Sequence, residues 1–346
     1  MESAGKPAAR CFCPPLPEGV PGPGSAGQYS PGVYHRAMLE AIDKALREAN
    51  LSYKVAPADF IGELRRRIDD LLEWGSLSQT LYQAYSSSLE WGGPERIPVA
   101  RTLVVIAGPA PCYAANFQVG RRKVRALIPP TYVSSTFRAH CRQVLEDVLA
   151  PAGFGLERPR LPVKQLAVRT GLGEYGRNDL CYVPGMGSFA RLEAFVTDAD
   201  LLSDAAAGSP VGAVASAQLR MERCSTCSSC HWACPTHCIP ADRSLVDAER
   251  CLTYLNENER PWPVWLDPAA HSCLVGCMGC QQACPVNRPY LADPAVIAEF
   301  DEAETGLILE NLPPERLSEP LRAKLTALDL LEYSTVLGRN LLALAR

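Results

Sequence analysis

Two runs of cysteines in the second half of this 346-residue chain constrain its fold more than any other feature. The first run places Cys224, Cys227, Cys230 and Cys234 at the spacing C-x2-C-x2-C-x3-C and continues into Pro235. Bacterial ferredoxins bind iron–sulfur clusters with this spacing, and in two-cluster ferredoxins the fourth cysteine ligates the neighbouring cluster. The run therefore predicts an iron–sulfur module.

The second run supplies one ligand fewer than a full set. It contains Cys277, Cys280 and Cys284, and the isolated Cys251 completes the count. We expect the last cysteine of each run to reach the cluster of the other run. One [4Fe–4S] cluster is therefore assigned to Cys224, Cys227, Cys230 and Cys284, and the second to Cys234, Cys251, Cys277 and Cys280. Two neighbouring clusters would form a path for single electrons.

Structural zinc is the alternative for these cysteines, because C-x2-C pairs also hold zinc in tetrahedral sites. Both runs end in Cys-Pro, and this favours iron–sulfur clusters. Because the assigned ligands already complete two clusters, we interpret the nearby Cys238 and Cys273 as ordinary buried residues.

The composition narrows the class of protein and its compartment. The chain has fifteen cysteines and no recognisable secretory signal, so metal binding in a reducing, cytoplasmic environment explains them better than disulfides. The sequence contains no stretch of about 18 apolar residues, so it predicts no membrane span. A net charge of −4 gives no indication of a DNA partner. Residues 121–177 nevertheless carry eleven Lys and Arg against four acids, which leaves an anionic ligand open.

The rest of the sequence predicts a mixed α/β (α+β) protein in four parts. Pro and Gly at short intervals predict a disordered leader over residues 1–29. An α/β domain is predicted over residues 30–217, since apolar residues at helical spacing alternate with buried runs such as Thr102–Ala107. The double-cluster domain follows over residues 218–292, and a short helical tail over residues 293–346.

Five glycines fall within residues 171–189, just before the cysteine runs. Such a density of glycine indicates that the backbone turns sharply or approaches another group closely. The segment is either a pair of hairpin turns or a cofactor cradle. Gly171, Gly173 and Gly176 match a G-x-G-x-x-G pattern, but they follow a predicted helix and lack the strand that a phosphate loop requires.

The order of five segments resembles the cobalamin-dependent epoxyqueuosine reductases and their iron–sulfur homologues. The segments are an R-x-GLG-x-x-G-R-N stretch, a G-x-GS-F turn, the first cysteine run, an isolated E-R-C, and a closing GC-x2-C-x3-CP-x-N. They lie at Arg169–Asn178, Gly185–Phe189, Cys224–Pro235, Glu249–Cys251 and Gly276–Asn287. The resemblance covers roughly residues 100–290.

The resemblance implies a nitroreductase-like α/β domain that carries base-off cobalamin beside a bacterial-ferredoxin-like domain with two [4Fe–4S] clusters. Electrons would pass through the clusters to cobalt, which would reduce the substrate. The positions that match residues near the corrinoid in the family are Arg177, Cys181, Ser188, Thr253 and Met278.

Two residues are candidates for the proton donor. The family has a catalytic aspartate fourteen residues before the GLG segment, and Glu157 stands at that position here, without the surrounding motif. Tyr132 is the second candidate. The implied partners are a low-potential electron donor, such as ferredoxin or flavodoxin, and an electrophilic substrate that is either a small molecule or borne on tRNA.

Two other functions stay open at this point. The chain could be a non-catalytic electron-transfer subunit without a corrinoid, or a reductive activator of another corrinoid protein.

Overall fold

The computed structural model describes residues 31–92, 97, 99–202, 219–241 and 245–346. The predicted leader over residues 1–29 lies outside the described residues. The described helices are α1 (Pro31–Glu48), α2 (Phe60–Glu73), α3 (Gln79–Ser86), α4 (Ser135–Leu149), α5 (Val163–Arg169), α6 (Ser229–Trp232), α7 (Leu252–Glu257), α8 (Gly279–Gln282), α9 (Glu302–Leu309), α10 (Glu319–Ala327) and α11 (Ser334–Leu344). The described strands are β1 (Ser52–Pro57), β2 (Thr102–Pro109), β3 (Tyr113–Val119), β4 (Arg122–Ile128), β5 (Leu156–Glu157), β6 (Glu174–Tyr175), β7 (Cys181–Tyr182), β8 (Ala190–Thr197) and β9 (Ala295–Phe300). Across the described ranges, no helix combines the length and the apolar character needed to cross a membrane.

An antiparallel sheet in the order β1-β2-β8-β5 forms the centre of the N-terminal region. Strand β2 is apolar almost throughout and is buried along most of its length, so it needs a packing layer on each face. Helices α1 and α4 cover one face, where Val104 and Phe195 pack. Helices α2 and α5 cover the other face, where Leu103 and Val196 pack.

A second sheet in the order β4-β3-β9 joins the N-terminal region to the tail. Strand β3 pairs antiparallel with β4 and parallel with β9, which follows the cysteine runs. The rings of Phe117 and Phe300 stack across β3 and β9 with centroids 4.6 Å apart. The sequence analysis predicted neither strand, and the tail therefore supplies a strand in addition to its helices.

The glycine-rich segment folds as a short hairpin of β6 and β7, in which Glu174 pairs with Tyr182 and Tyr175 with Cys181. A Cβ atom at Gly173 would lie 2.6 Å from the sulfur of Cys181, so only glycine fits there. Gly187 has a φ of +58°, and a Cβ there would lie 2.5 Å from the amide oxygen of Asn287. The segment therefore contains a hairpin, and contacts within the protein account for Gly173 and Gly187. A role of the segment as a cofactor cradle stays a prediction.

Candidate iron–sulfur centre

The first predicted set of cysteines comes from two segments that pack on each other. Cys224 lies in a single 3-10 turn, Cys230 lies on α6, and Cys284 follows α8. Contact between α6 and α8 carries the last cysteine of the second run to the first run. Burial first, and then the nearby charges of Cys224, Cys284 and Cys227, raise the pKa of Cys230 to about 11. The structure therefore brings these four side chains together.

The second predicted set lines a cavity of about 50 Å³. The thiols around this cavity belong to Cys234, Cys238, Cys251, Cys277 and Cys280. Proline, isoleucine, valine and leucine side chains form much of the remaining wall. All four cysteines assigned to the second cluster thus meet in one place. The fifth, Cys238, is a member of this site that the sequence analysis treated as an ordinary buried residue.

The spacing of these thiols bears on the zinc alternative. A tetrahedral zinc site needs four ligand atoms within about 2.3 Å of one ion. A cubane separates its thiolates by the width of its iron–sulfur core, so cysteines arranged around a cavity fit a cluster better than an ion.

Hydrogen bonds favour the thiolate form of two cysteines in the second set. The pKa of Cys234 is lowered to about 4, chiefly by a hydrogen bond with the Cys238 thiol and also by Thr236, against the opposing effect of burial. The pKa of Cys251 is lowered to about 7 by Cys238 first, and Thr253 contributes as well. Thiolate is the form that ligates iron, so the site is chemically suited to a cluster.

Arg177 joins the glycine-rich hairpin to the loop of the first set. Its Nε donates to the carbonyl oxygen of Cys227 at 2.9 Å. Its two terminal nitrogens donate to the carbonyl oxygens of Ala241 at 2.8 Å and Cys224 at 2.6 Å. The resemblance placed this arginine beside cobalamin, whereas its guanidinium group binds the backbone of the cluster loop.

Three other side chains that the resemblance assigned to cobalamin are enclosed by protein. The hydroxyl of Ser188 hydrogen-bonds the side chain of Gln281 at 3.1 Å, and its backbone N–H donates to Asn287 at 3.0 Å. Met278 is only 1% exposed, and the side chain of Cys181 is buried within the hairpin beside Gly173. A corrinoid would have to displace these contacts. As packed, the residues do not fit cobalamin.

Tyr132 is buried where the second sheet meets the cluster segment. Its hydroxyl donates to the carboxylate of Glu257 on α7, and its ring lies edge-on to Tyr333 with centroids 5.7 Å apart. Burial and then the Glu257 charge raise the pKa of Tyr132 well above its ordinary value, and burial also raises the pKa of Glu257. The sequence analysis missed Glu257, because its partner is 125 residues away and no local pattern marks the pair.

Glu157, the other candidate donor, stands on the edge strand β5 opposite Val196 of β8. Arg191 of the same strand β8 donates to the backbone carbonyl of Tyr132. Arg191 and Val196 are five positions apart, which corresponds to roughly 17 Å along the strand. The structure therefore does not bring Glu157 and Tyr132 together, and a proton-donating role for Glu157 stays a prediction.

We expect Tyr132→Phe to destabilise the protein by about 1–3 kcal/mol, because the substitution leaves the half-buried carboxylate of Glu257 without its donor. Denaturant unfolding of the anaerobic holoprotein measures this loss, with Tyr333→Phe as a matched control at the neighbouring ring. If the Tyr132 hydroxyl instead protonates a substrate, the variant keeps its stability and loses substrate reduction.

Comparison with known proteins agrees with this site. Residues 223–287 match the family described as a 4Fe-4S double cluster binding domain. Over 138 residues the chain is 34% identical to an epoxyqueuosine reductase of Burkholderia pseudomallei (strain K96243), and this match covers 40% of the chain and 32% of that protein. A second epoxyqueuosine reductase, from Synechocystis sp. (strain ATCC 27184 / PCC 6803 / Kazusa), is 30% identical over 146 residues. That match covers 42% of the chain and 45% of the relative. The similarity thus spans less than half the length of these curated relatives.

The fold is similar to that of epoxyqueuosine reductase from Bacillus subtilis, with a TM-score of 0.59 at 20% identity over 88% of this chain and 80% of that one. This similarity confirms the predicted fold class, a mixed α/β region followed by a double-cluster domain and a helical tail. The predicted resemblance is confirmed as well. The chain thus resembles the epoxyqueuosine reductases, and its residues 223–287 match a 4Fe-4S double cluster binding domain.

Proposed function

We propose that this protein is an iron–sulfur reductase that takes single electrons from a low-potential donor, such as ferredoxin or flavodoxin. The electrons pass through two [4Fe–4S] clusters to an electrophilic substrate. The crossed placement of the two cysteine sets carries this proposal, because Cys284 lies with the first run and Cys234 with the second. Crossed ligands hold both clusters in one packed unit, which suits the relay of electrons between them.

The proposed substrate is epoxyqueuosine in tRNA. The curated relatives are named for the reduction of this nucleoside, and one structure of similar fold shows epoxyqueuosine reductase with an epoxyqueuosine-modified tRNA-Tyr stem loop. Modified-nucleoside profiles of cells with and without the protein test this part of the proposal. Epoxyqueuosine that accumulates when the protein is removed supports it. Unchanged epoxyqueuosine contradicts it and leaves a small electrophile as the substrate.

Cobalamin is the acceptor that the resemblance implies between the clusters and the substrate. When bound, it would supply a reducible cobalt centre for the substrate chemistry. Protein contacts leave no room for a corrinoid beside Ser188, Met278 and Cys181. Arg177 binds the backbone of the cluster loop, and Thr253 lines the cavity of the second set of cysteines. The proposed electron path therefore runs from the clusters to the substrate without cobalamin between them.

The same packing favours a second candidate function, electron transfer to a partner enzyme without a corrinoid. In this case the N-terminal sheet would hold no substrate, and the partner would contribute the site of reduction. Both candidate functions require the same two clusters. They differ in whether this chain alone reduces a substrate or passes its electrons to a partner enzyme.

Anaerobic purification with metal analysis and an ultraviolet–visible spectrum tests the cofactors. We expect about eight irons per chain, as two [4Fe–4S] clusters require, and no cobalt after desalting. A corrinoid band that survives desalting would establish cobalamin and would require the hairpin to separate from the cluster segment. Iron well below about eight per chain after reconstitution would contradict the two-cluster proposal.

A further inference from the structure

Cys238 contacts two of the four sulfurs assigned to the second cluster. Its sulfur lies 3.4 Å from the sulfur of Cys234, and its backbone N–H donates to the same atom at 3.4 Å. Its thiol also hydrogen-bonds Cys251. Cys238 is 3% exposed, so water does not compete for these contacts.

The local backbone explains this placement. His237 has a φ of +52°, in the left-handed region, and this turns the chain back so that residue 238 meets Cys234 again. The carbonyl oxygen of Cys238 accepts a hydrogen bond from the N–H of Asp247 at 2.8 Å, which holds the turned segment in place.

The chemistry of the thiols sets the direction of the hydrogen bonds. A [4Fe–4S] cluster takes four thiolates, and Cys234, Cys251, Cys277 and Cys280 already supply them. A metal-bound thiolate can accept a hydrogen bond but has no proton to donate. Cys238 is therefore the donor: its backbone N–H donates to Cys234, and its single S–H proton donates to Cys234 or to Cys251.

The two sets of cysteines differ in their hydrogen bonds. In the second set, the sulfur of Cys234 lies within 3.6 Å of the Thr236 hydroxyl in addition to its contacts with Cys238. In the first set, the sulfur of Cys227 lies 3.5 Å from the Ser229 hydroxyl oxygen. Hydrogen bonds to cluster sulfurs raise the reduction potential, because reduction adds negative charge that the donors stabilise.

We propose that Cys238 is a positioning residue that raises the reduction potential of the second cluster and so directs electrons from the first cluster to the second. The proposal rests on the proposed function, because it requires that both clusters are present. Each transfer moves one electron, oxidises the first cluster and reduces the second, and makes or breaks no covalent bond. The electron comes from the low-potential donor.

A redox titration of the anaerobic holoprotein, followed by electron paramagnetic resonance, tests the proposal. In Cys238→Ala we expect one of the two cluster potentials to shift to a lower value while iron stays at about eight per chain. Cys238→Ser should keep most of the original potential, because its hydroxyl can still donate. Cys141→Ala, which removes a buried thiol on α4 of the N-terminal core, is the matched control and should shift neither potential.

Several results would overturn the proposal. Loss of about four irons in Cys238→Ala would make Cys238 a ligand. Unchanged potentials in that variant, or an equal shift in Cys238→Ser, would exclude tuning by a hydrogen bond. In a Cys224→Ala background, which should keep the second cluster alone, the shift must persist. A wild-type protein with fewer than about eight irons would overturn the proposed function with two clusters as well. The iron content of the wild-type protein is measured before any variant is compared, so this failure is distinguishable from failure of the Cys238 proposal.

Discussion

Replacing Cys284 by alanine is expected to remove the cluster of the first cysteine run and to spare the cluster of its own run. Cys284 lies near Cys230 together with Cys224 and Cys227, and the charges of all three raise the pKa of Cys230. Iron should fall from about eight to about four per chain, since three thiolates hold a [4Fe–4S] cluster poorly. The paramagnetic resonance signal that remains should equal that of Cys224→Ala and differ from that of Cys277→Ala.

The comparison among these three variants decides whether the ligands cross. If Cys284→Ala leaves the same signal as Cys277→Ala, each run holds its own cluster and the assignment is wrong. Cys141→Ala should retain all of the iron and controls for the loss of a buried thiol elsewhere.

Arg177→Ala is expected to loosen the first cluster and to lower the stability of the holoprotein by about 3 kcal/mol. The substitution removes three hydrogen bonds from a charged donor to backbone carbonyls of the cluster loop. Hydrogen bonds to charged groups contribute about 1.5–3 kcal/mol each, and partial solvent exposure of this side chain reduces their sum. The rate at which an iron chelator removes the first cluster should therefore rise.

Arg177→Lys is the matched control for this prediction. Lysine keeps the positive charge but presents a single ammonium group in place of the planar fork, so it should restore only part of the stability. If chelation of the first cluster proceeds at the wild-type rate in Arg177→Ala, the arginine does not support the cluster loop. Selective loss of the second cluster would contradict the placement of the guanidinium group.

The cluster centre was the most predictable part of this protein. Ferredoxin ligands are close together in sequence, so spacing alone grouped Cys224, Cys227 and Cys230, and the count of ligands pointed to Cys251. Cys238 escaped this reasoning because the count was already complete. Its role depends on the left-handed turn at His237, which no spacing pattern indicates.

Charge was the least predictable property, because ion pairs form between residues that are far apart in sequence. Residues 121–177 showed a large excess of positive charge, which left an anionic ligand open. The structure pairs eight of these cations with carboxylates, including Lys123 with Glu299 and Arg169 with Glu63. Most of the local excess is therefore neutralised within the protein.

The second sheet limits how the cluster segment can be separated from the rest of the chain. Strand β9 follows the cysteine runs and pairs with β3, which precedes them. The segment itself also joins the sheet, since the N–H of Leu274 donates to the carbonyl oxygen of Leu127 on β4 at 2.8 Å. A fragment that contained only residues 218–292 would lose both partners. The cluster segment is thus not a self-contained ferredoxin, and the smallest fragment that keeps these contacts extends from β3 to β9.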